Sequence, residues 1–349
     1  MDTSVLKKFS QQARTSLLEQ IEAQLGIVLA PDSRARRESV DAVRTLEEKI
    51  GDIGKKQVVD QVAYTWFNRF CALRFMDINR YNRVGLVSPA QNQTLPEILS
   101  NAIVGHIDSD VVKEKTRKRV QDLLLGKVPS RDAQGEAYRL LLVAYCNSLH
   151  TSMSFLFERI EDYTELLLPT NLLTSDSVLA SYREAMTPEA CKDVEVIGWL
   201  YQYYISERKD EVFASFKKGK KAGTKEIPAA TQLFTPHWIV RYLVENSLGR
   251  LWMLNHPKSH LPEKMEYYIK PDQEETDFLR INRPEEIRVC DPACGSGHML
   301  TYAFDLLYAI YEEEGYEASS IPTLILTKNL YGIEIDERAK ELAAFALLM

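Results

Sequence analysis

Asp291-Pro-Ala-Cys-Gly-Ser-Gly-His298 carries the strongest structural signal in the chain, and Ile287-Arg-Val-Cys290 leads into it. The lead-in predicts a short buried strand, and the two glycines after it predict a tight turn. The next run is apolar with helical periodicity, at Met299, Leu300, Ala303, Phe304, Leu307, Tyr308 and Tyr311. A strand, a glycine turn and a helix in this order are how a doubly wound α/β sheet presents backbone N–H groups to a nucleotide-like ligand.

The glycine turn differs from those that bind phosphates. The pattern G-x-x-x-x-G-K-[ST] is absent, and Gly295 and Gly297 lack a third glycine at the dinucleotide spacing. Asp291 closes the strand, and its carboxylate would repel a pyrophosphate but suits an ammonium group. This combination indicates S-adenosylmethionine, whose amino-acid end is zwitterionic and whose sulfur is cationic.

The motifs and their order along the chain resemble one enzyme family. Gln232-Leu-Phe-Thr-Pro-His-Trp238 lies upstream of the turn, and Gly332-Ile-Glu-Ile-Asp336 lies downstream. This order resembles the amino-methylating DNA methyltransferases of the N6-adenine type, in which the Thr-Pro and Asp-Pro-Ala-Cys-Gly-Ser-Gly segments line the cofactor pocket. Two further segments resemble the helical N-terminal region of PglX-type methyltransferases of BREX phage-defence systems, Trp66-Phe-Asn-Arg-Phe-Cys-Ala-Leu-Arg-Phe-Met-Asp77 and Tyr201-Gln-Tyr-Tyr-Ile-Ser206.

The resemblance implies which residues surround the cofactor. Glu334 would hold both ribose hydroxyls, Ile335 would pack on the adenine edge, and Asp291 would accept a hydrogen bond from the ammonium group. Thr235-Pro236, expected as the N-cap and first residue of a helix, would direct N–H groups at the methionine carboxylate. The implied cofactor-binding set is Thr235, Pro236, Asp291, Pro292, Ala293, Cys294, Gly295, Gly297, Glu334 and Ile335.

Two assignments stay open from the residues alone. Glu334 and Asp336 lie on the same face of an extended strand, so alternation cannot separate them as the ribose ligand. The family pattern favours Glu334 and makes Asp336 the N-cap of the last helix. His298 departs from the small or aromatic residue common in the family, and it would contact the cofactor or only cap its helix; we assign it no proton transfer.

Composition indicates a globular protein of two domains. The chain has 349 residues, a formal net charge of -7 and 45% hydrophobic residues. The five cysteines are scattered without metal-ligand spacing, which favours reduced thiols in a cytoplasmic protein and no metal site. We find no membrane-spanning run and no signal peptide. The acidic balance does not favour DNA binding by bulk attraction, so any duplex contact needs local basic patches.

Periodicity predicts a mostly α N-terminal domain over 1–216, followed by a basic linker over 217–230. Residues 231–349 are expected to be the truncated start of an α/β, Rossmann-like methyltransferase domain. Its predicted elements are a strand at Ile287–Cys290, helices at Gly297–Glu314 and near Ile321–Thr327, a strand at Leu330–Ile335 and a helix from Glu337.

Charged residues outside the motifs have structural explanations. Arg69 and Arg74 lie inside an apolar helix, and we expect them to pair with carboxylates such as Asp60 or Asp77. The basic clusters Arg34 to Arg37 and Lys115 to Arg119 are expected on exposed helix faces. Lys217-Lys-Gly-Lys-Lys-Ala-Gly-Thr-Lys225 is interpreted as a solvated loop, with a DNA phosphate contact as the alternative.

The catalytic motif of the family is absent. Methyl transfer to adenine N6 uses an Asn/Asp/Ser-Pro-Pro-Tyr/Phe tetrapeptide that holds the flipped base, and this sequence contains no Pro-Pro pair. The last apolar helix has no C-cap before Met349. We therefore expect an N-terminal part of a longer enzyme that holds only a cofactor half-site, is inactive alone, and meets double-stranded DNA mainly through a missing C-terminal region.

Other functions remain open. The chain could be a non-catalytic, cofactor-binding interaction module that docks other phage-defence proteins, which the missing tetrapeptide favours. It could also be the modification part of a restriction–modification enzyme, although Glu47-Glu-Lys49 is predicted on a helix and not on a nuclease sheet. Methylation of a small molecule or protein fits the glycine turn but not the upstream Thr-Pro order.

Overall fold

The computed structural model describes residues 3–158, 163–219, 221, 223, 226–233, 235–273 and 275–349. Two units make up the chain, Met1–Glu207 and Arg208–Met349. The described residues are mostly helical, which confirms the coarse prediction of fold class. None of the described helices has both the length and the apolar character to cross a membrane.

The first unit, here called the helical unit, is built from helices around α4. Its helices are α1 (Thr3–Leu29), α2 (Arg34–Glu38), α3 (Val40–Ile53), α4 (Lys55–Ile78), α5 (Glu97–Ile103), α6 (Glu114–Leu124), α7 (Ala133–Leu149), α8 (Tyr163–Leu166), α9 (Val178–Ala185) and α10 (Glu195–Tyr204). A 3₁₀ turn covers Ala190–Lys192, and α11 (Ser206–Phe216) runs on into the second unit. Residues 47–49 lie on α3, as predicted.

Helix α4 is central because its side chains are apolar over most of its circumference. Trp66, Phe67 and Phe70 are almost fully buried. The sequence predicts carboxylate partners for Arg69 and Arg74, and the negative charge of Asp77 does act on Arg74. Their hydrogen bonds to the backbone were not predicted. Arg69 donates to backbone carbonyls, among them that of Leu156, and Arg74 donates to that of Met186. Carbonyls left open where helices end accept from a buried guanidinium as well as a carboxylate does.

The second unit, here called the sheet unit, holds the predicted strand–turn–helix. Its elements are α12 (Ile227–Thr231), α13 (His237–Val244), a π-helical turn at Glu245–Gly249, α14 (Arg250–Asn255), 3₁₀ turns at Leu261–Lys264 and Pro284–Glu286, β1 (Val289–Asp291), α15 (His298–Glu313), α16 (Ile321–Leu324), a π-helical turn at Ile325–Asn329, β2 (Leu330–Gly332) and α17 (Glu337–Leu348). The predicted linker falls partly outside the described residues, so its suggested phosphate contact stays a prediction.

The two strands are parallel and shorter than predicted. Val289 pairs with Leu330 and Asp291 with Gly332. The regular ladder stops because Ala293 N, the next donor in register, bonds to the side chain of Asp291, and Cys294 N bonds to Ile333 O in its place. The predicted strand at 330–335 therefore ends at Gly332, where its neighbour turns away.

A buried core fixes the sheet unit behind this edge. Val240, Val244 and Trp252 pack with Leu307 and Ile310 of α15. Asn329 directly precedes β2 and bonds to the segment that leads into β1. It is fully buried, its amide donates to the carbonyls of Pro284 and Ile287 at 2.8 Å, and its Oδ1 accepts from Tyr311. This residue, which the sequence did not single out, sets where β2 begins beside β1.

Candidate functional site

The carboxyl ends of β1 and β2 meet at one edge of the sheet, as parallel strands require. Beyond the paired residues, Ile333 N donates to Asp291 O at 2.9 Å, and Cys294 N donates to Ile333 O at 3.0 Å. The turn after β1 is thus bonded to the segment after β2. Two motifs separated along the chain form one surface.

Glycines are required at three points of this surface. Gly295 and Gly297 have positive φ, +55° and +89°, which side-chain-bearing residues rarely adopt. A Cβ on Gly297 would also stand 3.0 Å from the Cβ of Ala343 in α17, and one on Gly332 would stand 3.1 Å from Cys294 Sγ. The predicted turn is therefore shaped by close approach as well as by backbone conformation.

Glu334 holds the turn in place. Its Oε2 accepts from Gly295 N at 2.7 Å, and its Oε1 accepts from Asp336 N at 2.8 Å. A carboxylate offers about four lone-pair positions, so these two bonds leave about two for another donor. The side chain is only partly buried, which keeps it accessible from solvent.

Asp291 lies at the other side of the same turn. Its Oδ1 accepts from Ala293 N at 3.1 Å. Partial burial, together with the charges of Asp291 and Glu334, raises the pKa of the Cys294 thiol to about 11, because both effects disfavour a thiolate. Both carboxylates thus act on one side chain of the turn, which brings the two predicted acids together.

The upstream segment contributes a residue that sequence reasoning passed over. Gln232 is 6% exposed, and its Nε2 lies 3.9 Å from the point where a Cβ on Gly295 would stand. Within the described part of the chain its side-chain amide has no hydrogen-bond partner. Its main-chain carbonyl accepts from Lys209 Nζ at 2.6 Å. From the sequence, its position three residues before Thr235 was the available signal. Its burial and its approach to the turn are seen only in the fold.

The start of α13 differs by one residue from the prediction. The helix begins at His237, and Pro236 is the N-cap instead of Thr235. Pro236 keeps an extended ψ of 141°, and Thr235 has no side-chain capping role. The residue before a proline is disfavoured in helical conformation, which explains why Thr235 stays outside the helix. Thr235 is partly buried and Pro236 is exposed.

The remaining side chains of the turn divide into buried and exposed ones. Ser296 is 3% exposed, and its hydroxyl has no hydrogen-bond partner among the described residues. His298 is buried at the first residue of α15. Pro292 and Ala293 are exposed, and Ile335 is 66% exposed although it is apolar. An exposed isoleucine beside a carboxylate leaves an apolar surface next to a polar one.

Asp336 is the N-cap of α17, as predicted. Its carboxylate accepts from Arg338 N at 3.2 Å, and the side chain is buried. Its carboxylate therefore serves the helix, whereas Glu334 is directed at the glycine turn.

Comparisons with known proteins identify the relatives of this chain. Residues 272–349 match the family model described as MmeI, DNA-methyltransferase domain. The whole chain aligns at 40% identity with the adenine-specific methyltransferase BrxX of Escherichia coli O9:H4 (strain HS), and at 35% identity with the adenine-specific methyltransferase PglX of Lacticaseibacillus casei (strain Zhang). This chain is a homologue of BrxX and PglX. The resemblance predicted from its motifs is confirmed.

This BrxX/PglX homologue corresponds to part of the length of its relatives. The chain spans 31% of the length of the BrxX relative and 32% of the PglX relative. The glycine turn and both candidate acids lie inside the range that matches the methyltransferase domain, whereas Gln232 and Thr235 precede it.

Proposed function

We propose that this BrxX/PglX homologue binds S-adenosylmethionine at its glycine turn, as part of a DNA adenine N6-methyltransferase of a BREX phage-defence system. The observation that carries the proposal is the convergence of Asp291 and Glu334 on one turn at the carboxyl ends of two parallel strands. Ligands of α/β sheets bind outside this edge. The names of both relatives, adenine-specific methyltransferases, support the substrate class.

The residues present fit this cofactor. Gly295 and Gly297 leave the backbone open to close approach, and the buried hydroxyl of Ser296 and amide of Gln232 lack partners among the described residues. Buried polar groups without a partner are costly, so a ligand that bonds to them is favoured. When bound, S-adenosylmethionine would supply an electrophilic methyl group on a sulfonium.

Each side chain has a proposed task. Glu334 keeps about two lone-pair positions for the ribose hydroxyls, and Asp291 accepts from the ammonium group in a bond worth roughly 1.5–3 kcal/mol net. Exposed Ile335 offers an apolar surface to adenine. Thr235 and Pro236 directly precede α13, whose first N–H groups would face the methionine carboxylate. Pro292, Ala293 and Cys294 contribute backbone and shape.

The wider architecture is proposed as Rossmann-like. Two adjacent parallel strands joined through α15 form the unit from which such sheets are built. We propose 1–216 and 231–349 as the functional domains, with double-stranded DNA as the substrate of the whole protein. Because this sequence has no Pro-Pro pair, no residue of it is assigned a catalytic role. Five cysteines without disulfides support a cytoplasmic location.

Methylation-sensitive sequencing of host DNA tests the whole-protein proposal. A host that carries the full-length gene should gain N6-methyladenine at one sequence word, and the Asp291→Ala and Glu334→Ala forms should not. Glu337→Ala, an exposed acid on α17, is the matched control and should methylate normally. Absence of N6-methyladenine with a full-length protein that still binds S-adenosylmethionine would favour the non-catalytic interaction module instead.

A further inference from the structure

A cleft of about 390 Å³ in the helical unit is lined by three arginines. Arg34 comes from α2, Arg119 from α6 and Arg139 from α7. The sequence predicts the two basic clusters, Arg34 to Arg37 and Lys115 to Arg119, as separate exposed helix faces. The fold instead directs one arginine of each cluster to the same cleft.

Two of the three acids that line the cleft pair with Arg34. Arg34 pairs with Glu38 at 2.8 Å and with Glu136 at 3.4 Å, and Ser130 donates a further hydrogen bond to Glu136. Glu165 is the third acid that lines the cleft. The three arginines and the three glutamates of the lining balance in formal charge. Among the described residues, however, none of these carboxylates makes a hydrogen bond or an ion pair with Arg119 or Arg139.

Arg119 and Arg139 have no acceptor among the residues that the structure describes. In the part of the chain that the structure describes, neither side chain makes a hydrogen bond or an ion pair, although both are partly buried. Burial lowers the pKa of Arg139, and the charges of Glu136 and Asp132 oppose this only in part. Arg74, also partly buried, by contrast bonds to two backbone carbonyls and a serine hydroxyl.

Two partly buried guanidinium groups without protein acceptors carry donors that water or a bound anion must meet. We propose that this cleft binds a phosphate group, carried by a free nucleotide or by the backbone of DNA. The planar fork of arginine donates two parallel hydrogen bonds to phosphate oxygens. The cleft volume lies within the roughly 300–1,000 Å³ of small-molecule sites, so a mononucleotide or one backbone phosphate fits its scale. The proposal is independent of the glycine turn.

Binding measurements on the full chain test the site. Titration with ATP, with inorganic phosphate and with a short fluorescein-labelled duplex should give saturable binding of at least one of them. Arg119→Gln and Arg139→Gln should each weaken it about tenfold, the loss expected when a charge-assisted hydrogen bond is removed. Arg44→Gln removes the same charge from exposed α3, outside the cleft, and should change nothing.

The outcomes separate the two sources of phosphate. Binding of ATP without the duplex assigns the site to nucleotides, and binding of the duplex with a steep salt dependence assigns it to the DNA backbone. Asp291→Ala should leave both unchanged, which distinguishes this site from the cofactor site. Thermal unfolding checks folding, and Arg119→Gln keeps the test valid if Arg139→Gln unfolds the chain. No binding of any probe, or equal binding by the Arg119→Gln/Arg139→Gln double variant, overturns the proposal.

Discussion

Apolar side chains are buried in helix α4 but exposed in the segment after β2. Trp66 and Phe70 of α4 are fully buried, whereas Ile333 and Ile335 are 62% and 66% exposed. Asp77 of α4 accepts hydrogen bonds from backbone N–H groups inside the fold. Glu334 accepts from the backbone N–H of Gly295 at the surface. We infer from this difference that α4 contributes folding free energy, whereas the segment after β2 forms a surface for a ligand.

Trp66→Ala should produce the largest effect on stability. Removal of a fully buried tryptophan costs about 3–5 kcal/mol, because the burial of its apolar surface no longer stabilises the fold and a cavity remains. Ile335→Ala, at an exposed apolar position, should change the free energy of unfolding by less than about 0.5 kcal/mol but weaken cofactor binding. Denaturant unfolding of both variants measures this contrast. Equal losses of stability would contradict it.

Gly297→Ala should have the next largest effect on the free energy of unfolding. A residue with a Cβ at φ +89° costs roughly 1–2 kcal/mol, and contact with Ala343 adds about 1–3 kcal/mol of overpacking. Gly315→Ala is the matched control, since Gly315 has φ +81° but open space around its Cβ position. Thermal unfolding should show the greater loss for Gly297→Ala. The same loss in both would mean that the turn does not pack on α17 as described.

The reactivity of Cys294 should show the smallest effect. Its pKa of about 11 keeps it protonated at pH 8–9, and thiolate forms only as pH rises toward that value. Asp291→Asn or Glu334→Gln removes a nearby negative charge and lowers the pKa, so alkylation at pH 9 should accelerate, up to roughly tenfold for each unit of pKa.

Site-resolved mass spectrometry after iodoacetamide treatment measures this alkylation rate. Glu337→Gln removes an exposed acid that does not act on Cys294 and should leave the rate unchanged. An unchanged rate in Asp291→Asn and Glu334→Gln as well would show that the two carboxylates do not converge on the turn.

Local patterns predicted much of the fold and of the site. Apolar periodicity located α4 and α15. The family pattern identified Asp336 as an N-cap, which alternation alone had left open. Contacts between residues distant in sequence could not be predicted this way. The carbonyl partners of Arg74, the approach of Gln232 to the turn and the shared cleft of two basic clusters depend on how helices pack.

Thermal unfolding with S-adenosylmethionine measures whether the glycine turn binds the cofactor. Ligand at 100 times its dissociation constant should add about 2.7 kcal/mol of stability to this chain. Asp291→Ala and Glu334→Ala should each abolish the shift, and Glu337→Ala should retain it. A shift that survives both of the first two substitutions would contradict the assignment of the cofactor to the glycine turn.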